Sequence, residues 1–165
     1  MPIVESLVLV FEPWATLYGG STVLSVGLTF AHLGAMMVGG GLAIAADRTV
    51  LRAGAVSEPA ARVILADTLA DAHRPVLVAL AVSAISGTLQ LAADVETFAN
   101  SKVMWVKLGL LGALAVNGWL MLRDEREVRR TSGAGGKFAM LRVRALVSVA
   151  LWLAITLAGV GLTQG

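Results

Sequence analysis

The sequence predicts an all-α, polytopic membrane protein whose core is a bundle of four transmembrane helices. Of its 165 residues, 57% are apolar and only 15% are charged, whereas about 25% are charged in an average soluble domain. A soluble domain of this size could not bury so much apolar surface. Because a helix satisfies its own backbone hydrogen bonds in lipid and an open strand does not, we expect helices rather than strands.

Four apolar stretches are long enough to cross a bilayer, which takes about 20 residues of helix. We expect one transmembrane domain over residues 23–163, with its spans at 23–46, 76–93, 103–122 and 145–163. Pro75 directly precedes the second stretch, where proline suits the first turn of a helix. Before it, Ser57-Glu58-Pro59 resembles a helix start and predicts a separate, short amphipathic helix.

The first residues of the chain form a segment of their own, 1–22. Its apolar run of nine or ten residues is too short to span a bilayer and is followed by Glu12, Pro13 and Trp14. Aromatic residues with a polar edge favour the headgroup region of a membrane. We therefore expect an interfacial helix with Trp14 and Tyr18 at headgroup level.

Basic residues are concentrated on one side of the predicted bundle. Eleven of the thirteen Lys and Arg residues lie between the first and second spans, between the third and fourth, or at their edges. The opposite side carries Glu5, Glu12, Asp94 and Glu96. The positive-inside rule then predicts cytoplasmic loops and both termini on the outer side. Since the basic residues are interleaved with acids at membrane edges, we expect no nucleic-acid partner.

Small residues recur at helical spacing in the spans. Such ridges let helices approach closely in lipid, where dispersion contacts hold them together. They would serve the bundle itself, or a second copy or partner chain in a larger membrane complex. The expected packing positions in the first and third spans are Gly27, Ala31, Ala35, Gly39, Gly109, Ala113 and Asn117.

A few polar residues lie inside the predicted spans and group in the outer half of the bilayer. By helix rise, His32 lies about 12–15 Å and Lys107 roughly 8 Å below the outer ends of their spans. Ser86 and Gln90 fall in the same outer half. Polar side chains in lipid usually face the bundle interior or a cavity. These four residues are therefore the candidate binding site of the chain.

Two other side chains of the spans have expected positions. Lys107 would extend outward to the interface or pair with Asp94 or Glu96. Trp152 would act as an interfacial or lipid-facing anchor, the usual role of tryptophan in membrane helices.

His32 has two interpretations that the sequence leaves open. It is either a structural histidine, hydrogen-bonded to Ser86 or Gln90, or a contact for haem b, a metal, a quinone or a proton. His73 lies roughly 20 Å away by helix rise, so one chain does not easily bring both histidines to one iron. Five-coordinate haem, or haem shared across a dimer, would need only His32.

Several kinds of chemistry are excluded by residues that the sequence lacks. Without cysteine there are no disulfides, iron–sulfur clusters or thiolate metal sites. No Ser-His-Asp set at a common depth and no His-Glu-x-x-His motif occurs, so we expect no catalytic residues.

Six short segments form a recognisable series in the order FAHLG (30–34), VGGG (38–41), DR (47–48), SGTLQ (86–90), FAN (98–100) and VKL (106–108). The series resembles small bacterial membrane proteins of the four-helix, cytochrome-b-like or CopD-like kind. His32, the Ser86-Gly87 pair and Lys107 match that group in type and order. The resemblance covers about residues 23–122 and implies a four-helix bundle in the bacterial inner membrane, with haem- or copper-linked physiology.

Three functions follow as hypotheses. The first is a non-enzymatic protein that acts by binding, as an accessory or assembly subunit of a membrane complex. The second is a redox protein in which His32 contacts haem or a quinone. The third is a small copper transporter, for which the few methionines of the spans form no ladder across the bilayer.

Overall fold

The computed structural model describes residues 2–53, 58–132 and 135–162, and within these ranges every regular element is an α-helix. The helices of these ranges are α1 (Pro2–Gly20), α2 (Thr22–Arg52), α3 (Pro59–Ala93), α4 (Val95–Asn100), α5 (Lys102–Arg130) and α6 (Gly135–Leu162). Four of them, α2, α3, α5 and α6, are long and apolar enough to cross a membrane. The predicted all-α fold with four transmembrane helices is thereby confirmed.

The four long helices follow one another around the bundle as α2, α3, α5 and α6. The most extensive packing joins α2 to α3 and α5 to α6, while α3 and α5 touch over a smaller area. We call the end with the α2–α3 and α5–α6 connections the basic end, because most Arg residues lie there. The opposite end, where α1 and α4 lie, is the α1 end.

Three helices begin at the α1 end with a side-chain N-cap. The side chains of Ser21, Asp94 and Ser101 each accept a hydrogen bond from the backbone N–H three residues on, at 3.2–3.3 Å. These bonds satisfy N–H groups that the first helical turn leaves without a partner. Consequently α2, α4 and α5 can each begin almost directly after the preceding helix ends.

Helix α3 runs without interruption from Pro59 to Ala93 and includes Pro75. It therefore replaces the separate amphipathic helix and the span starting after Pro75 that the sequence suggested; the proposed capping residue Ser57 lies outside the described residues. The buried face continues past the proline, since Leu69 and Ala79 both belong to the core. Packing along this face holds the helix together where proline removes one backbone hydrogen bond.

The core is continuous at the basic end, where the helices extend beyond the predicted spans. Helix α2 continues to Arg52 and α5 to Arg130, and α6 already begins at Gly135. The buried apolar residues of this end form one cluster: Ala46, Val50, Ala66, Leu69, Met121, Val128, Phe138, Leu141 and Ala145. This cluster packs the ends of all four long helices against one another.

Helix α1 is held against α3 and α4 rather than within the four-helix ring. The Trp14 indole donates a hydrogen bond to the Leu89 carbonyl at 2.8 Å, and its ring lies 6.2 Å from that of Tyr18. Leu9 and Val10 are mostly exposed, so an apolar flank remains open on the outside. The placement of α1 at a lipid interface stays a prediction.

Two glycines of α2 allow close approach of neighbouring helices. A Cβ atom on Gly39 would lie 2.9 Å from Cβ of Ala79, and one on Gly40 would lie 3.0 Å from the Trp152 ring. Trp152 is only 3% exposed. The expectation of an interfacial Trp152 is therefore wrong, because the flat surface at Gly40 admits its ring into the core.

The other expected packing positions do not share one face. Gly27 and Gly109 have open space where a Cβ would be, and Ala113 is exposed. Ala31 and Ala35 are half-buried. A step of four residues turns about 40° beyond a full helical circle, so a ridge with that spacing winds around the helix. Part of each ridge consequently faces outward.

Candidate functional site

His32 lies on α2 and is oriented by the backbone of α3. Its Nδ1 lies 2.9 Å from the carbonyl oxygen of Ser83. A carbonyl can only accept, so Nδ1 carries the hydrogen and donates it. The hydroxyls of Ser83 and Ser86 lie 3.3 and 3.4 Å from the same nitrogen. The ring is thus fixed in one orientation by neighbours on a single facing helix.

Gly87 provides the space that this orientation needs. A Cβ at position 87 would lie 2.9 Å from Cε1 of His32 and 3.1 Å from Nδ1. Those distances are shorter than ordinary van der Waals contact, so a larger residue would displace the ring. The Ser86-Gly87 pair therefore allows the imidazole to rest directly against the α3 backbone.

The second ring nitrogen of His32 is available for a ligand. With the hydrogen on Nδ1, neutral His32 presents a lone pair at Nε2. Within the described ranges, no side chain or backbone group makes a hydrogen bond to Nε2. Histidines that bind metals typically donate their other N–H to a carbonyl or carboxylate in this manner.

Two cavities border His32 in the α1 half of the bundle. The smaller, about 350 Å³, extends between α3 and α5, and the larger, about 570 Å³, extends between α2 and α6. Gln90, Phe98 and Lys107 line both of them. Both are grooves that open to the outside of the bundle, since the exposed residues Leu108 and Met37 line the smaller and the larger one, respectively. Ligand pockets measure about 300–1,000 Å³. This half of the bundle therefore has room for a ligand.

Lys107 faces these cavities instead of a carboxylate. In the part of the chain that the structure describes, it forms no ion pair with Asp94 or Glu96, so that expected pairing is not present. Its Nζ lies 3.9 Å from the Cβ position of Gly159 on α6. The ammonium is thus available to an anionic or carbonyl group of a ligand beside His32.

Ser86 and Gln90 support the site without contacting Nε2. The Ser86 hydroxyl donates to the Val82 carbonyl at 2.7 Å. The Gln90 amide donates to the carbonyls of Leu28 and Ser86 at 3.4 and 3.3 Å, which links α3 to α2. All four predicted site residues thus line or brace the same region, which we call the His32 layer.

Asn117 lies away from the His32 layer and joins α5 to α6. It is buried, and its Nδ2 donates to the Arg144 carbonyl at 3.0 Å. The cross-helix bond explains how an amide is accommodated inside this helix pair, since a buried polar group needs a partner.

A second polar cluster at the basic end was missed from the sequence. Asp47, His73, Glu125 and Ser148 come from α2, α3, α5 and α6, respectively, and we call them the Asp47 cluster. Asp47 is 1% exposed and Glu125 is fully buried. The Glu125 carboxylate lies 3.2 Å from Nε2 of His73, and Ser148 is hydrogen-bonded to Asp47.

Helical spacing carries the signal that would have revealed these acids. Asp47 lies seven residues after Gly40, and Glu125 lies eleven after Leu114, so each continues a buried helix face. Hydropathy alone ends the predicted spans at residues 46 and 122. Because the helices continue past those limits, both acids point inward instead of lying in loops.

The donor sets limit the chemistry of these sites. The described ranges contain no group of three His, Cys, Asp or Glu side chains that could hold a metal ion. The His32 layer instead offers one imidazole nitrogen, one ammonium and an apolar cavity. Such a set suits a group that brings most of its own structure, such as haem, more than a bare ion.

Comparisons with known proteins identify no relative of the chain. No protein-family model, no curated protein and no solved structure matches it. The resemblance to cytochrome-b-like or CopD-like proteins therefore stays a prediction from six short segments. What is established is a multi-pass membrane protein with an all-α bundle.

Proposed function

We propose that the protein acts by binding, as a non-enzymatic subunit of the bacterial inner membrane, and that the His32 layer is its ligand site. One observation carries the proposal: Nδ1 of His32 is engaged by the Ser83 carbonyl, while Nε2 is unpartnered within the described residues and the ring borders two cavities. An intramembrane polar residue usually marks a functional site.

The ligand class that suits this site best is haem b. Nε2 of His32 would bind the haem iron, and the larger cavity of about 570 Å³ borders His32. The Lys107 ammonium would neutralise a propionate. When bound, haem would add one-electron chemistry, which makes a redox protein the second candidate function.

A quinone headgroup or a copper ion would use part of the same site. A quinone carbonyl would accept a hydrogen bond from Lys107. Copper(I) prefers soft thioether and imidazole ligands, and Met36 and Met104 border the smaller cavity together with His32. Transport of copper is accordingly the third candidate.

A partner chain would use the outward part of the small-residue ridges. Gly27 on α2 and Gly109 on α5 have open space at their Cβ positions, and Ala113 is exposed. Small residues on a lipid-facing surface permit close helix approach. We propose that these faces contact a second copy or another subunit of a membrane complex.

The decisive experiment is an absorption spectrum of the detergent-purified protein from cells with ample haem supply. The wild type is expected to show a Soret band that His32→Ala abolishes and that His73→Ala, the matched histidine control, retains. A colourless wild type would refute the haem assignment. Solvent extraction for quinones and elemental analysis for copper on the same samples then test the two other ligands.

A loss of fold must be separated from a loss of ligand in this comparison. Helix content and elution volume in size-exclusion chromatography are measured for both variants. If His32→Ala retains both properties and still lacks the band, the imidazole is required for binding. If all extracts lack haem, quinone and copper in the wild type, His32 binds none of the three proposed ligands.

A further inference from the structure

A third cavity lies at the basic end, apart from the His32 layer. Its volume is about 260 Å³, and it meets the smaller His32 cavity only at Leu80, Leu114 and Ala115. Most of its lining is apolar. The polar exceptions are three members of the Asp47 cluster: Asp47, His73 and Ser148. The indole rings of Trp119 and Trp152 also line the cavity.

Asp47 is one of the residues that line this cavity, and it carries a buried carboxylate. The residue is 1% exposed, and its Oδ2 has no hydrogen-bond partner. Ser148 supplies one hydrogen bond to the carboxylate. Burial of a carboxylate is strongly unfavourable unless a cation or a full set of donors accompanies it. Among the described residues that line the cavity, no Lys or Arg accompanies this carboxylate, so its charge has no cationic partner there.

The other acid of the Asp47 cluster, Glu125, lies beside His73, and neither of its carboxylate oxygens has a hydrogen-bond partner by strict geometry within the described residues. Nδ1 of His73 lies 2.8 Å from the Leu69 carbonyl and must donate to it, so a neutral ring has no hydrogen on Nε2. Nε2 nevertheless lies 3.2 Å from Glu125 Oε1. One proton between these two atoms makes the contact favourable, whichever atom holds it. A His73–Glu125 pair that shares one proton has no net charge, so it would not compensate Asp47.

Two arginines of the basic end pair with acids other than Asp47. Arg129 pairs with Asp67 at 3.1 Å, and Arg144 pairs with Asp124 at 2.7 Å. Among the described residues that line the cavity, none is Lys or Arg. The negative charge of ionised Asp47 consequently faces an apolar cavity without a cation from the bundle.

We propose that this cavity binds an organic cation with an apolar body, such as a substituted ammonium. The Asp47 carboxylate would neutralise the charge, and the faces of Trp119 and Trp152 would attract the same charge through their π-electrons. The apolar body would occupy the space lined by leucine and alanine side chains. Such a ligand suits a cavity with one charged group and a predominantly hydrophobic lining.

The test uses the full-length protein in detergent at pH 8, with phenyltrimethylammonium as the probe and tryptophan fluorescence as the readout. Benzenesulfonate, which has a similar size and the opposite charge, is titrated in parallel. The cation is expected to give a saturable signal and the anion none. Equal responses to both ions, or no saturable response to the cation, would overturn the proposal.

Four variants locate the binding. Asp47→Asn removes the charge, and Asp71→Asn is its exposed control. Gly118→Leu fills the cavity from a position with open space at its Cβ, and Gly112→Leu is the matched control on the same helix, outside the cavity lining. Affinity for the cation is expected to fall at least tenfold in both cavity variants and to stay unchanged in both controls.

Two kinds of cavity variant are used so that the proposal remains testable if one of them does not fold. If Asp47→Asn does not yield a folded protein, Gly118→Leu still removes the space without touching the charge. Retained binding in a folded Asp47→Asn or Gly118→Leu protein would contradict the proposal, as would an equal loss in the control variants. Because the His32 layer is unchanged in all four, their absorption spectra report separately on the proposed haem site.

Discussion

Replacing Gly87 with alanine would place a methyl group against the imidazole of His32. The added Cβ would lie 2.9 Å from Cε1 and 3.1 Å from Nδ1. Either the ring or helix α3 must then shift, and the 2.9 Å bond from Nδ1 to the Ser83 carbonyl is the contact that the shift would break.

The size of the effect follows from three opposing contributions. Overpacking costs about 1–3 kcal/mol, and losing the buried hydrogen bond costs about 0.5–1.5 kcal/mol. Alanine recovers about 0.8–1.0 kcal/mol through its higher helix propensity. The free energy of unfolding is therefore expected to fall by roughly 0.5–3.7 kcal/mol. Gly109→Ala places its methyl group in open space, so this control should show only the gain in helix propensity and a slightly higher free energy of unfolding.

The measurement is reversible unfolding in mixed micelles of mild detergent and SDS, followed by circular dichroism. A double-mutant cycle isolates the steric conflict between the two side chains, since Gly87→Ala should show only its helix-propensity gain once His32 is alanine. The expected coupling energy between the two positions is about 1 kcal/mol or more. The reasoning is falsified if Gly87→Ala is as stable as Gly109→Ala, or if its cost persists in the His32→Ala background.

Two further predictions concern the helix pair α5–α6 and the orientation of the bundle. Asn117→Leu removes the 3.0 Å hydrogen bond to the Arg144 carbonyl. In the same assay it should lower the free energy of unfolding by about 0.6–2 kcal/mol, the usual contribution of a hydrogen bond between membrane helices. An unchanged free energy of unfolding would show that this hydrogen bond contributes nothing to stability. With cytoplasmic loops, a membrane-impermeant thiol reagent should label Asn100→Cys in intact spheroplasts and should label Glu58→Cys only after permeabilisation. The reverse pattern would invert the topology.

The fold was predictable because a transmembrane helix needs a continuous run of mostly apolar residues that is long enough to cross the lipid. The apolar stretches of about 20 residues identified four helices, and those helices are present as α2, α3, α5 and α6. The ends of the helices were less predictable, since hydropathy records where the lipid ends and not where the helix does. Pro75 illustrates this, because the buried face of α3 continues through it.

The His32 layer was predictable in its members but not in its contacts. Helix rise placed His32, Ser86, Gln90 and Lys107 at similar depth. The sequence could not tell that a backbone carbonyl, that of Ser83, would orient the imidazole, because every residue offers the same carbonyl group. It also could not tell that Lys107 faces the cavities rather than a neighbouring acid.

By itself, then, the sequence determined the class of the protein, the number of its membrane helices and the candidate site residues. Each of these depends on local hydropathy and helix rise. The tertiary structure alone decided which side chains meet. Asp47 and Glu125 appear as loop acids in the sequence, yet α2 and α5 bury both of them together at the basic end. Burial depends on how far neighbouring helices extend and which faces they turn to one another, and no single helix carries that information.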